Sequence, residues 1–174
     1  KAIKNISKSQ LFFQDLKDYL RRFKHKGYIT NSKHRKKFIT QNYVENLKGD
    51  WKILIYGEQY YVLSRENRKN DFRASGGGSL SYHKKVPEGL LDFAKNIFEE
   101  LDVPNLSLDI GLSNDEFYLI EFQALFFGTY TIEHSNYYFK KEDLTWQLIE
   151  QSSILEKVYT ESIHSFIKNQ NKVK

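Results

Sequence analysis

Apolar residues near the start of the chain recur at intervals of three and four. Ser7 and Gln10 form the capping pattern that commonly opens a helix. The apolar positions that follow are Leu11, Phe12, Leu16, Tyr19, Leu20 and Phe23. This period predicts an amphipathic helix over residues 8–25.

Shorter apolar runs further along predict strands. Such runs cover residues 38–44, 51–56, 59–65, 106–112 and 116–123. Gly57 and Glu58 separate the second run from the third, which is a two-residue hairpin signal. A three-residue turn, Ser113 to Asp115, is predicted to join the last two.

Two more helices and one loop complete the predicted elements. Pro87 and Glu88 open a helix that ends before Pro104. Residues 144–167 are predicted to be a largely helical tail, either continuous or broken near Ser152 and Ser153. Before the first of these helices, residues 70–79 contain three successive glycines without periodicity, which predicts a tightly turned or flexible loop. The basic residues 33–37 are expected to be a solvated connector.

The predicted hairpin formed by residues 106–123 brings carboxylates together. Alternation places Asp109 on the polar side of its strand, and pairing Leu112 with Glu116 puts Glu121 on the same side, diagonal to Asp109. Gln123 lies two residues beyond Glu121 on that face. Carboxylate and amide oxygens suit Mg²⁺. A solvated face of a one-sided sheet explains the same spacing equally well.

Composition narrows the chemistry only modestly. The chain has 174 residues, enough for one domain or two small subdomains, and contains no cysteine. Thiolate zinc sites, disulfides and cysteine nucleophiles are therefore excluded. A net charge of +5 favours anionic partners, and the phosphates of a small molecule would match it as well as a nucleic acid. No apolar run approaches the length of a membrane helix, so we expect a cytoplasmic protein without a membrane partner.

Six elements, taken in order, resemble the ATP-grasp superfamily of carboxylate–amine and carboxylate–thiol ligases, which includes glutathione synthetases and ribosomal-protein glutamate ligases. The matching elements are a strand ending near Gln41, an Asp-x-Lys strand, a basic residue closing a hairpin, a Phe-Arg-glycine loop, a strand aspartate and a Glu-x-Gln pair. In this chain they are residues 38–44, Asp50 to Lys52, Arg65, Asp71 to Gly76, Asp109, and Glu121 to Gln123.

The resemblance implies a role for each site residue. Gln41 and Val44 would belong to the hinge that meets the adenine of ATP. Lys52, Arg65 and Arg73 would bind phosphate or substrate carboxylate, with Arg73 and Arg65 serving catalysis. Metal ligation would use two Mg²⁺ ions, with Glu121 shared between them and Asp109 and Gln123 each completing one site.

The resemblance also implies a fold and a reaction. The expected fold is α+β, an ATP-grasp antiparallel sheet flanked by helices, with an incomplete lid subdomain in residues 1–45 and the large subdomain in residues 46–174. The reaction would join a small-molecule or peptide carboxylate to an amine or thiol through an acylphosphate. Because the family's phosphate-covering glycine loop would precede Lys1, the chain is expected to be part of a longer enzyme and inactive alone.

Some features depart from that family or leave other interpretations open. Gln123 stands where the family commonly has Asn, and residues 124–129 lack its usual proline-containing turn. Arg73 has an alternative role as an ion-pair partner of Asp71 or Glu66. Of His83, His134 and His164, His83 lies nearest the glycine loop. A binding module without catalysis remains the alternative function: it would bind nucleotide, or stack single-stranded nucleic acid on aromatic residues beside the basic run. The aromatic residues in question are Tyr56, Tyr60 and Tyr61.

Overall fold

The computed structural model describes residues 12–13, 16–17, 19–20, 40–67 and 79–172. The chain separates into two compact units, residues 1–42 and 43–174. In the first unit, the six described residues between 12 and 20 are all helical, which confirms the predicted helix at those positions. Its capping residues Ser7 and Gln10, and both predicted ends, lie outside the described residues.

The described part of the second unit is an antiparallel sheet of seven strands with three helices, so the fold class is α+β. The order across the sheet is β5-β4-β1-β2-β6-β7, and the short β3 also pairs with β2. The strands are β1 (Gly49–Tyr56), β2 (Gln59–Glu66), β3 (Leu80–Ser81), β4 (Asn105–Ser113), β5 (Glu116–Gln123), β6 (Tyr138–Glu142) and β7 (Thr145–Ile149). The helices are α1 (Leu90–Leu101), α2 (Tyr130–Glu133) and α3 (Leu155–Gln170).

The two faces of the sheet carry different side chains because alternate residues of a strand point to opposite sides. One face, here called the apolar face, packs against α1 through a core that includes Ile53, Val62 and Leu108. The other face, here called the mixed face, is apolar near the β1–β2 turn. There Leu54 and Tyr61 pack with Ile132 of α2 and Val158 of α3. Further from that turn, the mixed face carries charged residues as well as the buried Leu63, which pairs with Lys52.

Most predicted elements are confirmed, and two are wrong. Strands β1, β2, β4 and β5 and helix α1 occur where the pattern placed them, with ends that differ by a few residues. Residues 40–44 have no regular structure, and residues 38 and 39 lie outside the described part. The predicted helix over 144–167 begins instead with β7 and becomes helical only at Leu155. Residues 145–149 include Thr, Trp and Ile, which favour strands, and they pair with β6.

The β4–β5 register also differs from the prediction. The turn has two residues, Asn114 and Asp115, both with positive φ, so Leu112 pairs with Phe117 rather than with Glu116. A β-bulge then places one extra residue, Ile120, in β5. Because the turn pairs it with Leu112, Phe117 packs into the core of the apolar face, opposite to the side that alternation assigned to it.

Candidate functional site

Four ionisable residues lie together on the mixed face, on three adjacent strands. Asp50 of β1 pairs with Arg65 of β2, and Lys52 of β1 pairs with Asp109 of β4. Directly opposed residues of neighbouring strands project to the same side, so the ladder brings all four side chains together. We call Asp50, Lys52, Arg65 and Asp109 the charged cluster.

Arg65 and Lys52 together bind both carboxylates of this cluster. The guanidinium of Arg65 donates from Nε to Asp50 Oδ1 at 2.6 Å and from Nη2 to Asp50 Oδ2 at 2.7 Å. Its Nη2 also lies 2.6 Å from Asp109 Oδ2. Lys52 Nζ donates to Asp109 Oδ1 at 2.8 Å and to Ser107 Oγ at 3.1 Å. Both oxygens of Asp109 therefore have a cationic partner.

The charged cluster is largely withdrawn from water. The exposed fractions of its side chains are 7% for Asp50, 11% for Arg65, 12% for Asp109 and 17% for Lys52. Burial lowers the pKa of Arg65, but its hydrogen bonds to Asp50 and Asp109 outweigh that effect and hold the pKa above its ordinary value. The guanidinium therefore stays charged.

Glu121 and Gln123 lie beside the cluster, at the edge of the same face. Glu121 pairs directly with Asp109, and Gln123 pairs with Ser107. Both side chains are exposed, and no hydrogen bond or ion pair joins either one to another residue of the described part. Their oxygens are thus available to a ligand.

The predicted metal ligands fit Mg²⁺ in their chemistry. Asp109 and Glu121 are opposed on adjacent strands and offer carboxylate oxygens, and Gln123 follows with an amide oxygen. Mg²⁺ needs few protein ligands because it keeps waters and substrate phosphates. Within the described ranges, no group of three or more His, Asp or Glu side chains forms a metal site. Asp109 differs from the other two because its oxygens already have partners.

The other predicted site residues fall outside this arrangement or outside the described residues. Arg73, together with the whole 70–78 loop, lies outside the described part of the chain. Gln41 belongs to the first unit and is exposed, whereas Val44 belongs to the second unit and is half-buried. Neither has regular secondary structure. Their assignment to adenine binding stays a prediction.

His83 lies on the apolar face, away from the cluster. Its Nε2 is 2.9 Å from Ser64 Oγ, and its ring is 5.6 Å from the ring of Trp51. Ser64 and Trp51 are register partners on that face. His83 is therefore not placed with the predicted metal ligands.

Two members of the site received no role from the sequence. The sequence marks Asp50 only as part of the Asp-x-Lys pattern, yet it binds Arg65 through two hydrogen bonds. Ser107 accepts a hydrogen bond from Lys52. Each residue precedes a predicted site residue by two positions, which places it on the same strand face. This spacing is the signal that would have found both.

The aromatic residues of the alternative nucleic-acid module are buried. Tyr56, Tyr60 and Tyr61 are 2%, 4% and 0% exposed, so their rings are closed to stacking bases. The basic run at residues 33–37 lies outside the described residues. A groove of about 800 Å³ lies at the β1–β2 turn, between α1 and α3, at the opposite end of these strands from the charged cluster.

Comparison with known proteins found no family model and no curated protein that matches the chain. Among the described helices, none is both long and apolar enough to cross a membrane.

Proposed function

We propose that the protein is an ATP-dependent ligase that joins a carboxylate to an amine or thiol through an acylphosphate, with the ATP-grasp fold. The observation that supports this most is the direct pairing of Asp109 with Glu121 beside Lys52 and Arg65. Phosphoryl transfer from ATP needs oxygen ligands for a metal and cations for phosphate, and this face offers both.

The reaction would proceed in two displacements. A carboxylate oxygen of the acid substrate attacks the γ-phosphorus of ATP, the bond to the β–γ bridging oxygen breaks, and ADP leaves. The amine or thiol then attacks the acyl carbon, the C–O bond to phosphate breaks, inorganic phosphate departs and the nucleophile loses a proton. The protein's part is to position the reactants and to neutralise charge.

Each site residue has a defined part in this proposal. Lys52 and Arg65 would bind phosphate oxygens, and Arg73 would hold the transferring phosphoryl group, since a guanidinium binds phosphate with two parallel hydrogen bonds. Asp109, Glu121 and Gln123 would hold magnesium, as two ions that share Glu121. When bound, magnesium supplies positive charge to the phosphate oxygens.

Trapping with hydroxylamine tests this function whatever the natural amine or thiol is, because hydroxylamine takes its place as the nucleophile. Because this chain is expected to be inactive alone, the longer enzyme that contains it is incubated with Mg·ATP, hydroxylamine and pooled carboxylic acids that include amino acids and peptides. An acylphosphate would give a hydroxamate, ADP and phosphate, and mass spectrometry of the hydroxamate identifies the acid. Absence of both Mg·ATP binding and hydroxamate would refute the proposal.

Variants tie the activity to the site. In that longer enzyme, we expect Asp109→Asn with Glu121→Gln to abolish ADP release. Glu116→Gln is the matched control, because Glu116 is an exposed acid at the other end of β5. Unchanged turnover in the double variant would show that Asp109 and Glu121 do not take part in the reaction.

A further inference from the structure

Asp109 is held by the two cations that the proposed function assigns to phosphate. Lys52 Nζ lies 2.8 Å from Asp109 Oδ1, and Arg65 Nη2 lies 2.6 Å from Asp109 Oδ2. A metal ion at Asp109 would meet Lys52 and Arg65 at the same oxygens. Like charges at such short range in a buried setting repel strongly.

The charges of the cluster balance as they stand. Two carboxylates, Asp50 and Asp109, face two cations, Lys52 and Arg65, and all four side chains are at most 17% exposed. A divalent cation added to this group leaves it with excess positive charge, and phosphate added alone leaves it with excess negative charge. Burial makes either imbalance unfavourable, because uncompensated buried charge is poorly solvated.

Arg65 and Lys52 differ in how firmly they are held. Arg65 has a second carboxylate partner, Asp50, bound through two hydrogen bonds. Among the residues that the structure describes, Lys52 has only the Ser107 hydroxyl as a hydrogen-bond partner besides Asp109. Moving Lys52 away from Asp109 therefore breaks fewer other hydrogen bonds than moving Arg65 would.

We propose that Lys52 and Arg65 serve as internal counter-ions at the oxygens of Asp109 that would bind metal, and that bound phosphate draws Lys52 away from Asp109. This inference rests on the proposed function. Exchange of partners keeps charge balanced: the metal takes Asp109, and the released ammonium takes a phosphate oxygen. Metal and nucleotide then assist one another, and the coupling is reciprocal.

Binding of each ligand by itself tests the exchange, because the metal–nucleotide complex of free solution then plays no part. Mn²⁺ binding is measured by electron paramagnetic resonance without nucleotide, and ATP binding is measured by calorimetry in EDTA. In Lys52→Gln we expect Mn²⁺ to bind about fivefold tighter or better, and ATP to bind more weakly by a similar factor. Glu121→Gln should weaken Mn²⁺ binding, which assigns the signal to this site.

Two controls separate exchange from a general effect of charge. Lys48→Gln removes an exposed cation four positions before Lys52 and should leave both affinities unchanged. Lys52→Arg retains the charge and should keep Mn²⁺ binding weak. Equal tightening of Mn²⁺ binding in Lys48→Gln and Lys52→Gln would overturn the exchange.

The outcomes also separate this inference from the proposed function. If the wild-type protein binds neither Mn²⁺ nor ATP, the ligase proposal fails together with the exchange. If it binds both, but Lys52→Gln does not tighten Mn²⁺ binding, the exchange alone fails. Should Lys52→Gln not fold, a crystal structure of the wild type with magnesium and a non-hydrolysable ATP analogue decides. We expect Lys52 Nζ bound to a phosphate oxygen there, and its persistence on Asp109 would contradict the exchange.

Discussion

Asp109 and Glu121 face each other directly across the β4–β5 ladder, and the extra residue Ile120 accounts for this pairing. From the Leu112–Phe117 pair, regular alternation would bring Ile120 opposite Asp109 and leave Glu121 on the other side of the sheet. The bulge restores Glu121 to the face that carries the charged cluster.

Disulfide formation checks that register. Because the chain contains no cysteine, the double variant Asp109→Cys/Glu121→Cys has only one pair to join. Opposed residues of antiparallel strands have Cα atoms about 4.5–5.5 Å apart, which a disulfide spans. We expect rapid oxidation to an intramolecular disulfide, measured by thiol titration and mass spectrometry.

The comparison variant is Asp109→Cys/Ile120→Cys, which shares the loss of Asp109. It should oxidise more slowly than the first pair, because Glu121, not Ile120, is the register partner of Asp109. Faster oxidation in this comparison variant would show that the strands pair without the bulge.

Gly49 is required for the close approach of β1 to β2 beside Arg65. A Cβ at Gly49 would lie 2.1 Å from the carbonyl oxygen of Arg65, which is backbone and moves only with the strand. We expect Gly49→Ala to lower the free energy of unfolding by about 3 kcal/mol in urea denaturation. Gly128→Ala is the control, since nothing in the described structure lies within 4 Å of its added Cβ. Equal stability of the two variants would contradict the packing.

Arg65 stabilises the sheet through its planar guanidinium as well as its charge. In Arg65→Lys, one ammonium replaces a group that binds Asp50 through two hydrogen bonds and also contacts Asp109. We expect a loss of about 1–3 kcal/mol in the free energy of unfolding, because buried carboxylate oxygens lose their donors. Lys84→Gln removes a cation from an ion pair whose side chains are 59% and 65% exposed, and should leave stability unchanged. A similar loss in both variants would count against a special role for Arg65.

Asp92 links α1 to the outer strands in a pH-dependent way. Its Oδ1 accepts from Lys141 Nζ at 2.6 Å and from Trp146 Nε1 at 3.0 Å. The hydrogen bond from Lys141 holds the pKa of Asp92 below its ordinary value of 3.8. The carboxylate therefore contributes stability that is fully present above pH 3.8 and is lost as the pH falls through the lowered pKa.

Thermal melts of Asp92→Asn across pH test this contribution. We expect a lower melting temperature than the wild type at pH 7 and a difference that shrinks in acid, below about pH 3.8. Glu88→Gln, which removes an exposed acid just before α1, should show no such convergence. A pH-independent difference for Asp92→Asn would mean that its ionisation is not coupled to folding.

The sequence located much of the sheet and of the candidate site, but it assigned some residues to the wrong element. The apolar runs of β1, β2, β4 and β5 predict strands correctly, because each of these strands contributes side chains to the packed core. The helix predicted over residues 144–167 is wrong for residues 145–149, since their strand forms by pairing with β6, about which the local pattern says little. The bulge at Ile120 was not predicted either, because nothing in the sequence around residue 120 indicates an extra residue in β5.

The sequence by itself determined which oxygen and cationic side chains share a strand face: Lys52 follows Asp50 by two positions, and Gln123 follows Glu121 by two. Tertiary structure alone decided which of them touch. Strand register set Lys52 against Asp109 and Arg65 against Asp50, and only that pairing shows that the predicted metal ligand Asp109 is already bound by two cations. Alternation along a strand is a local property of the backbone, whereas contact between strands depends on turns, bulges and packing distributed over the whole sheet.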